Sequence, residues 1–186
     1  MEQKQRRVYI VITQSGSILS KILKIVTRAP YNHVSLSLNT DLHVMYSFGR
    51  LKPKNPVLGG FVKESPFSGT FARFSNTKAL VLYMDVSEKQ YEAMERHLQA
   101  LYNRKDQYKY DVIGLLLAAF RVKYTRKNRY YCSEWVKEMM LRHKLAKKAD
   151  FKKITKPIHF LDLKEANLIF KGKLQDYSRR AACSLA

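Results

Sequence analysis

An unbroken alternation of polar and apolar side chains over residues 33–39 restricts the fold of this chain more than any other feature. His33 begins the polar face, and the opposite face carries Val34, Leu36 and Leu38. Successive side chains of a β-strand point to opposite faces of a sheet, so this period of two indicates a half-buried strand. One-sided strands of this kind are typical of an antiparallel sheet that helices cover on its apolar face.

Strands and helices follow one another along the rest of the chain. Apolar and β-branched runs predict further strands at residues 8–13, 42–48, 79–86 and 167–170. Helical periodicity predicts helices at residues 17–28, 88–102, 112–120 and from 132 onward, with a short one after 157. Ser87 followed by Gln90 is a capping-box signature, and Asp111 can cap the helix at 112–120, which we expect to be buried. These elements predict an α+β fold with a central antiparallel sheet packed against helices.

Glycine and proline mark one irregular segment. Residues 49–77 hold four of the seven glycines and three of the five prolines, so we expect a loop there that covers the sheet. Residues 178–186 are expected to form a flexible tail. The sequence shows no internal repeat and no domain boundary, and we therefore interpret residues 1–186 as one domain.

The composition excludes several classes of protein. Thirty-five basic and 15 acidic residues give a formal net charge of +20, yet 46% of the chain is hydrophobic, which is too rich in core residues for a disordered basic tail. Two cysteines do not make a disulfide framework and show no metal-ligand spacing, so we expect neither a metal nor a cofactor. The longest apolar run, residues 112–120, is far shorter than a bilayer requires, and no signal peptide is visible, so we expect a cytoplasmic protein.

Cys132 is the candidate nucleophile. It lies where a helix should begin, after the extended pair Tyr130–Tyr131 and with Glu134 in the first turn. The N–H groups and partial positive charge of a helix N-terminus stabilise a thiolate. His33 is the candidate general base, because it lies on the polar face of its strand rather than with the core residues, and thiol–imidazole pairs need not be close in sequence.

A third group should orient the imidazole. If the strands at 33–38 and 42–48 form a hairpin with a three-residue loop, Ser47 pairs directly with His33 and can orient it. His43 shares a strand face with Ser47 in this interpretation. The alternative is that neither residue has a catalytic role, Ser47 being an exposed strand residue and Cys132 a small core residue.

Several short motifs occur together in an order that resembles a known family. They are Tyr31-Asn32-His33-Val34, Met45-Tyr46-Ser47-Phe48-Gly49-Arg50, Gly59-Gly60-Phe61-Val62 with Glu64, Tyr110-Asp111, Tyr131-Cys132-Ser133-Glu134, and Phe170-Lys171-Gly172-Lys173-Leu174 with Asp176-Tyr177. Together they span nearly the whole chain. The order is similar to that of circularly permuted papain-fold cysteine hydrolases of the NlpC type, in particular the YiiX-like group, which is related to the lecithin retinol acyltransferases.

This resemblance implies a papain-like fold with Cys132 as nucleophile at a helix N-terminus and His33 as general base. Relatives usually place His, Glu, Asn or Gln on the strand after the histidine strand, where this chain has Ser47. His43 and Glu64 are the alternatives for the third member. Two aromatic residues near these positions, Tyr31 and Tyr131, are candidates to contact substrate.

The implied activity is hydrolysis or acyl transfer at an amide, ester or thioester, on a lipid, a small molecule or a cell-wall-type peptide. The alternative is a non-catalytic binding module on the same fold. In either case the basic segment that holds Arg121, Lys123, Arg126, Lys127 and Arg129 is either an ordinary solvated surface or a contact for an anionic membrane surface, which the amphipathic segment 17–28 would support. Nucleic acid ranks lower, because interleaved tyrosines, of which Tyr124 is one, are the only further sign of it.

Overall fold

The computed structural model describes residues 5–15, 30–51, 59–120 and 122–184, and one mixed eight-stranded sheet runs through this part of the chain. The strands are β1 (Arg6–Gln14), β2 (His33–Ser37), β3 (Met45–Arg50), β4 (Gly59–Glu64), β5 (Lys78–Val86), β6 (Lys109–Tyr110), β7 (Arg129–Tyr130) and β8 (Asn167–Lys173). They lie in the order β7-β6-β4-β3-β2-β1-β5-β8. All pairings are antiparallel except that of β6 with β7, which is parallel.

Helices cover both faces of the sheet. They are α1 (Gly69–Arg73), α2 (Glu88–Asn103), α3 (Val112–Ala119), α4 (Cys132–Arg142) and α5 (Leu174–Cys183), with 3-10 turns at Lys105–Gln107, Lys148–Asp150 and Pro157–Asp162. The larger core cluster joins one face of β1, β2 and β5 to α2 and α4, and a second cluster on the other face includes residues of α1 and α5. β1 is therefore buried on both faces, which explains its continuous apolar run.

The α+β class and most predicted elements are confirmed. β5 and the beginning of β8 lie where the apolar runs predicted them, and the short helix after residue 156 is a 3-10 turn. The Ser87 capping box is present, with the backbone N–H of Gln90 donating to the Ser87 hydroxyl and the Gln90 side chain accepting from the Ser87 backbone. Asp111 caps α3 by accepting from the N–H of Gly114 at 2.9 Å. The predicted helix at 17–28 lies outside the described residues.

The expected covering loop at 49–77 is wrong for much of the described part of this range, while residues 52–58 lie outside the described residues. β3 extends to Arg50, and β4 and α1 both lie within this segment. Gly59 marks a close approach of two strands rather than a loop, because a Cβ at this position would lie 2.6 Å from Cβ of Tyr110. Composition alone could not separate these two uses of glycine.

The expected flexible tail at 178–186 is also wrong over residues 178–183, while residues 185–186 lie outside the described residues. α5 continues to Cys183, and its Ser178 is buried and donates a hydrogen bond to the backbone oxygen of Asp41.

A further correction concerns α3, which we expected to be buried. Ile113 and Leu116 on this helix are 52% and 47% exposed.

The register between β2 and β3 differs from the expected hairpin. Leu36 pairs with Tyr46, whereas pairing of His33 with Ser47 would have placed Leu36 opposite residue 44. The connection is longer than three residues because β3 begins only at Met45, after a turn in which Leu42 has a φ of 59°. The polar face of β2 is also buried, since Ser35 and Ser37 have no exposed surface.

Candidate active site

His33 at the start of β2 and Glu64 at the end of β4 form a hydrogen-bonded pair across the intervening β3. Nε2 of the imidazole lies 2.9 Å from Oε2 and 3.1 Å from Oε1 of the carboxylate. An ionised carboxylate only accepts hydrogen bonds, so Nε2 carries the proton in this contact. Nδ1 is consequently the ring nitrogen left to exchange a proton with another group.

Ser35 fixes the carboxylate in place. Its hydroxyl donates to Oε2 of Glu64 at 2.7 Å and lies 3.3 Å from Nε2 of His33. Ser35 is completely buried, whereas the side chains of His33 and Glu64 are 19% and 14% exposed. The carboxylate therefore has a buried anchor on one side and the imidazole on the other.

Gly49 on β3 leaves the space in which this pair meets. A Cβ at this position would lie 3.2 Å from Oε1 of Glu64, 3.3 Å from Cγ2 of Val62 and 3.7 Å from Cε1 of His33. The first two distances are shorter than ordinary van der Waals contact, so the Glu64 carboxylate and Val62 would each have to move by a few tenths of an ångström to admit a side chain. The glycine at this position therefore fits the packing of the site rather than a turn.

Cys132 is the first residue of α4, which packs against β2 and β3. The thiol is buried, with 2% of the residue exposed, and lies 3.9 Å from the backbone oxygen of Asn32, the neighbour of His33. Tyr131, the N-cap residue, is extended and its side chain makes no capping hydrogen bond. The first-turn N–H groups therefore lie beside the sulfur without a capping side chain.

The charges around His33 favour the imidazolium ion. Burial lowers the pKa of His33, but the charge of Glu64 and the interactions with the Cys132 sulfur and the Glu64 carboxylate outweigh it and raise the pKa to about 10. At neutral pH the ring is therefore protonated, with a carboxylate on one side and the sulfur on the other.

The structure does not bring Ser47 or His43 to the imidazole. The Ser47 hydroxyl is buried and donates to the backbone oxygen of Val34 at 2.7 Å. His43 is exposed and its Nδ1 lies 2.6 Å from Oδ1 of Asp41. Of the three alternatives for the third group, Glu64 is the one that contacts His33, because the register shift carries Ser47 away from it.

The two tyrosines proposed to contact substrate precede Asn32 and Cys132 in the chain, the residues that the 3.9 Å contact joins, and both are partly or largely buried. Tyr31 is half-buried against the core cluster that contains Cys132, and burial raises its pKa. Tyr131 is 7% exposed and lines a cavity of about 480 Å³ on the outer side of α4. In the described part of the chain, no group of three or more His, Cys, Asp or Glu residues is arranged to hold a metal ion.

The site defines a class, namely an α+β protein with a thiol, an imidazole and a carboxylate together at the start of a helix. Comparison with known proteins adds no family to this class. No protein-family model matches the chain, and no curated protein shows significant similarity to it. Among the described residues no helix has the length and apolar character needed to cross a bilayer.

Sequence reasoning missed Ser35 and Gly49 as parts of the site. Ser35 carried a visible signal, because it shares the polar face of β2 with His33. Gly49 carried none, since its role depends on how Glu64 of β4 crosses β3 to reach His33. Both residues act by positioning the His33–Glu64 pair.

Proposed function

We propose that this protein is a cysteine-dependent acyl hydrolase or acyltransferase in which Cys132 is the nucleophile, His33 the general acid and base, and Glu64 the group that orients the imidazole. The observation that carries the proposal is the His33–Glu64 pair at 2.9 Å with the Cys132 sulfur close enough to raise the pKa of His33. Nucleophile, base and orienting group are the three parts that covalent acyl transfer needs.

The reaction proceeds in two steps. The Cys132 thiolate attacks the carbonyl carbon of an amide, ester or thioester, and the N–H groups of the first turn of α4 stabilise the resulting oxyanion. The tetrahedral intermediate collapses as His33 gives its proton to the departing nitrogen, oxygen or sulfur, which leaves a thioester on Cys132. His33 then removes a proton from water or another acceptor, whose attack on the thioester releases the acyl group and regenerates the Cys132 thiolate beside the protonated His33.

The resemblance described above extends this proposal to the fold, a circularly permuted papain-like domain of the NlpC type. Two features of the described residues support it. The histidine strand precedes the cysteine helix in the chain, and α4 places its N-terminus against the antiparallel strands β2 and β3. The proposed substrates are accordingly acyl compounds, either lipids or cell-wall-type peptides.

Labelling with acyl-directed probes tests the activity. The protein is incubated with a panel of activated esters, thioesters and peptide amides, and the adduct is located by mass spectrometry in the parent, Cys132→Ala and Cys183→Ala proteins. Cys183 is the matched control because it is an exposed thiol outside the site. We expect the adduct on Cys132, faster by about 100-fold than on Cys183 despite its burial. An adduct confined to Cys183 contradicts the proposal.

A non-catalytic binding module is the second candidate. What favours it is the burial of Cys132, of which only 2% is exposed, together with the contact between its thiol and the Asn32 backbone oxygen. The two candidates differ in the alkylation rate of Cys132. Slow alkylation that does not change in His33→Gln identifies a structural thiol, whereas fast alkylation that falls at least tenfold in this variant identifies a nucleophile.

A further inference from the structure

Exposed apolar side chains concentrate on one surface of the molecule. Of the nine large hydrophobic residues exposed in the described part of the chain, five lie between residues 113 and 124, namely Ile113, Leu116, Phe120, Val122 and Tyr124. Phe120 is the most exposed, at 73%. A soluble domain rarely leaves such residues in a group, whereas single exposed apolar residues are ordinary.

Three of these residues share one helix face, and a fourth is held at the end of the same helix. Ile113, Leu116 and Phe120 follow the spacing of one helix face along α3 and its C-cap. The backbone N–H of Val122 donates to the oxygen of Leu117 at 2.9 Å, which holds the next segment against the end of the helix. α3 itself, Val112–Ala119, carries no charged residue.

Basic residues outnumber acidic ones beside this surface. Residues 112–129 contain five Lys and Arg and no Asp or Glu. Lys123 and Lys127 are exposed, and both line the cavity of about 480 Å³. Its wall also carries five further basic residues, Arg126, Arg129, Lys137, Lys148 and Lys153, and two acidic ones, Glu134 and Glu138. An apolar face beside a concentrated positive charge complements an anionic lipid surface in both respects.

This surface is anchored next to the helix that carries Cys132. The N–H of Asp111 donates to the oxygen of Tyr130 at 2.9 Å, and β6 pairs with β7 through Tyr110 and Tyr130. Asp111 also pairs with Arg126, which ties the basic segment back to the start of α3. The beginning of α3 is thereby hydrogen-bonded to Tyr130, which lies two positions before Cys132 in the chain.

We propose that the apolar–basic surface, formed by Ile113, Leu116, Phe120, Val122 and Tyr124 with Lys123 and Lys127, docks the protein on an anionic lipid bilayer. The apolar side chains insert at the level of the headgroups, and the basic cavity receives the phosphates. This binding does not depend on the reactivity of Cys132. A bilayer is favoured over nucleic acid because phosphate contacts give no reason for five exposed apolar side chains.

Vesicle sedimentation tests the docking surface. The full-length protein is mixed with vesicles of phosphatidylcholine alone or of phosphatidylcholine with anionic phosphatidylglycerol, and we expect it to sediment with the anionic vesicles only. Lys123→Gln with Lys127→Gln should weaken binding about 25-fold, from about fivefold for each lysine. Phe120→Ser should weaken it about tenfold or more, because a large side chain no longer enters the interface.

The edge strand β8 supplies matched controls. Lys171→Gln with Lys173→Gln removes the same charge, and Leu168→Ser with Ile169→Ser removes exposed apolar residues, 50% and 45% exposed, away from α3. Both control variants, and Cys132→Ala, should bind vesicles as the parent does. The proposal is overturned if the parent does not sediment with anionic vesicles, or if the β8 variants lose binding to the same extent.

A parallel DNA titration distinguishes binding to lipid from binding to other anions. Short double-stranded DNA is titrated against the parent and Phe120→Ser proteins at the same ionic strength. We expect Phe120→Ser to impair vesicle binding while leaving DNA binding unchanged. Equal affinity of the parent for DNA and for anionic vesicles, with no effect of Phe120→Ser on either, would show a surface that acts through charge alone.

Discussion

Replacing Glu64 with glutamine tests the electrostatics of the site most directly. The substitution keeps the shape of the side chain but removes the charge that holds the proton on His33, with Nε2 2.9 Å from Oε2. Two unit charges about 4 Å apart interact by about 4 kcal/mol at an effective dielectric constant of about 20, which corresponds to about three pH units. The pKa of His33 should therefore fall from about 10 to about 7, because burial continues to disfavour the charged ring.

The same change should alter stability in a way that depends on pH. A histidine whose folded pKa is raised contributes stability that is fully present below its unfolded pKa, near 6.5, and is lost as the pH rises through about 10. The parent should therefore lose stability over this interval. Glu64→Gln should be less stable than the parent by about 2–3 kcal/mol at pH 7. Above pH 7 the stability of Glu64→Gln should change less with pH than that of the parent.

The assay is an NMR titration of the imidazole nitrogens, with the His33 signals assigned by their loss in His33→Gln. Alkylation of Cys132, followed over the same pH range, reports whether the thiol responds to the imidazole. Asp41→Asn is the matched control, because it removes a carboxylate from the exposed His43–Asp41 pair. Identical His33 titration in the parent and in Glu64→Gln would refute the reasoning, since the Glu64 charge would then not hold the proton.

Three further predictions concern residues around the site and the core. Gly49→Ala should shift the Glu64 carboxylate and destabilise the protein by about 1–3 kcal/mol, measured by urea unfolding, with a lowered pKa of His33 in the NMR titration; an unchanged titration would contradict it. Asp111→Ala should lower the free energy of unfolding by about 0.5–2 kcal/mol in the same assay, because α3 loses the N-cap that the buried carboxylate provides. Burial, with a smaller effect of the Arg142 charge, lowers the pKa of His97 to about 4, so the protein should lose stability as the pH falls from about 6.5 to about 4. His97→Gln should lose less stability than the parent between pH 6.5 and about pH 4. If the variant loses as much stability as the parent, groups other than His97 cause the loss.

Local patterns in the sequence were sufficient for the two elements that carry His33 and Cys132, but not for β4, which carries Glu64. The alternation beginning at His33 predicted β2, and the change of periodicity at Cys132 predicted the start of α4. The capping residues Ser87 and Asp111 were read correctly because a cap and its N–H partner lie within three residues of each other. Interactions of such short range are determined by the local sequence whatever the rest of the chain does.

Exposure could not be read from the sequence with the same certainty. The uncharged run at 112–119 looked like a buried helix, and its Ile113 and Leu116 are about half exposed. Hydrophobicity favours burial, but a side chain is buried only where another element packs against it. The surface proposed to bind a bilayer became visible only through this difference between composition and packing.

The sequence by itself determined the types of group present and the elements that bear them, a thiol at a helix start and an imidazole on a strand. Tertiary structure decided which groups meet. Ser47 and Glu64 were both alternatives for the partner of His33, and the register of Leu36 with Tyr46 directs Ser47 to the Val34 backbone instead. Register depends on the length of the connection and on packing across several strands, so a shift of two residues changes every cross-strand neighbour.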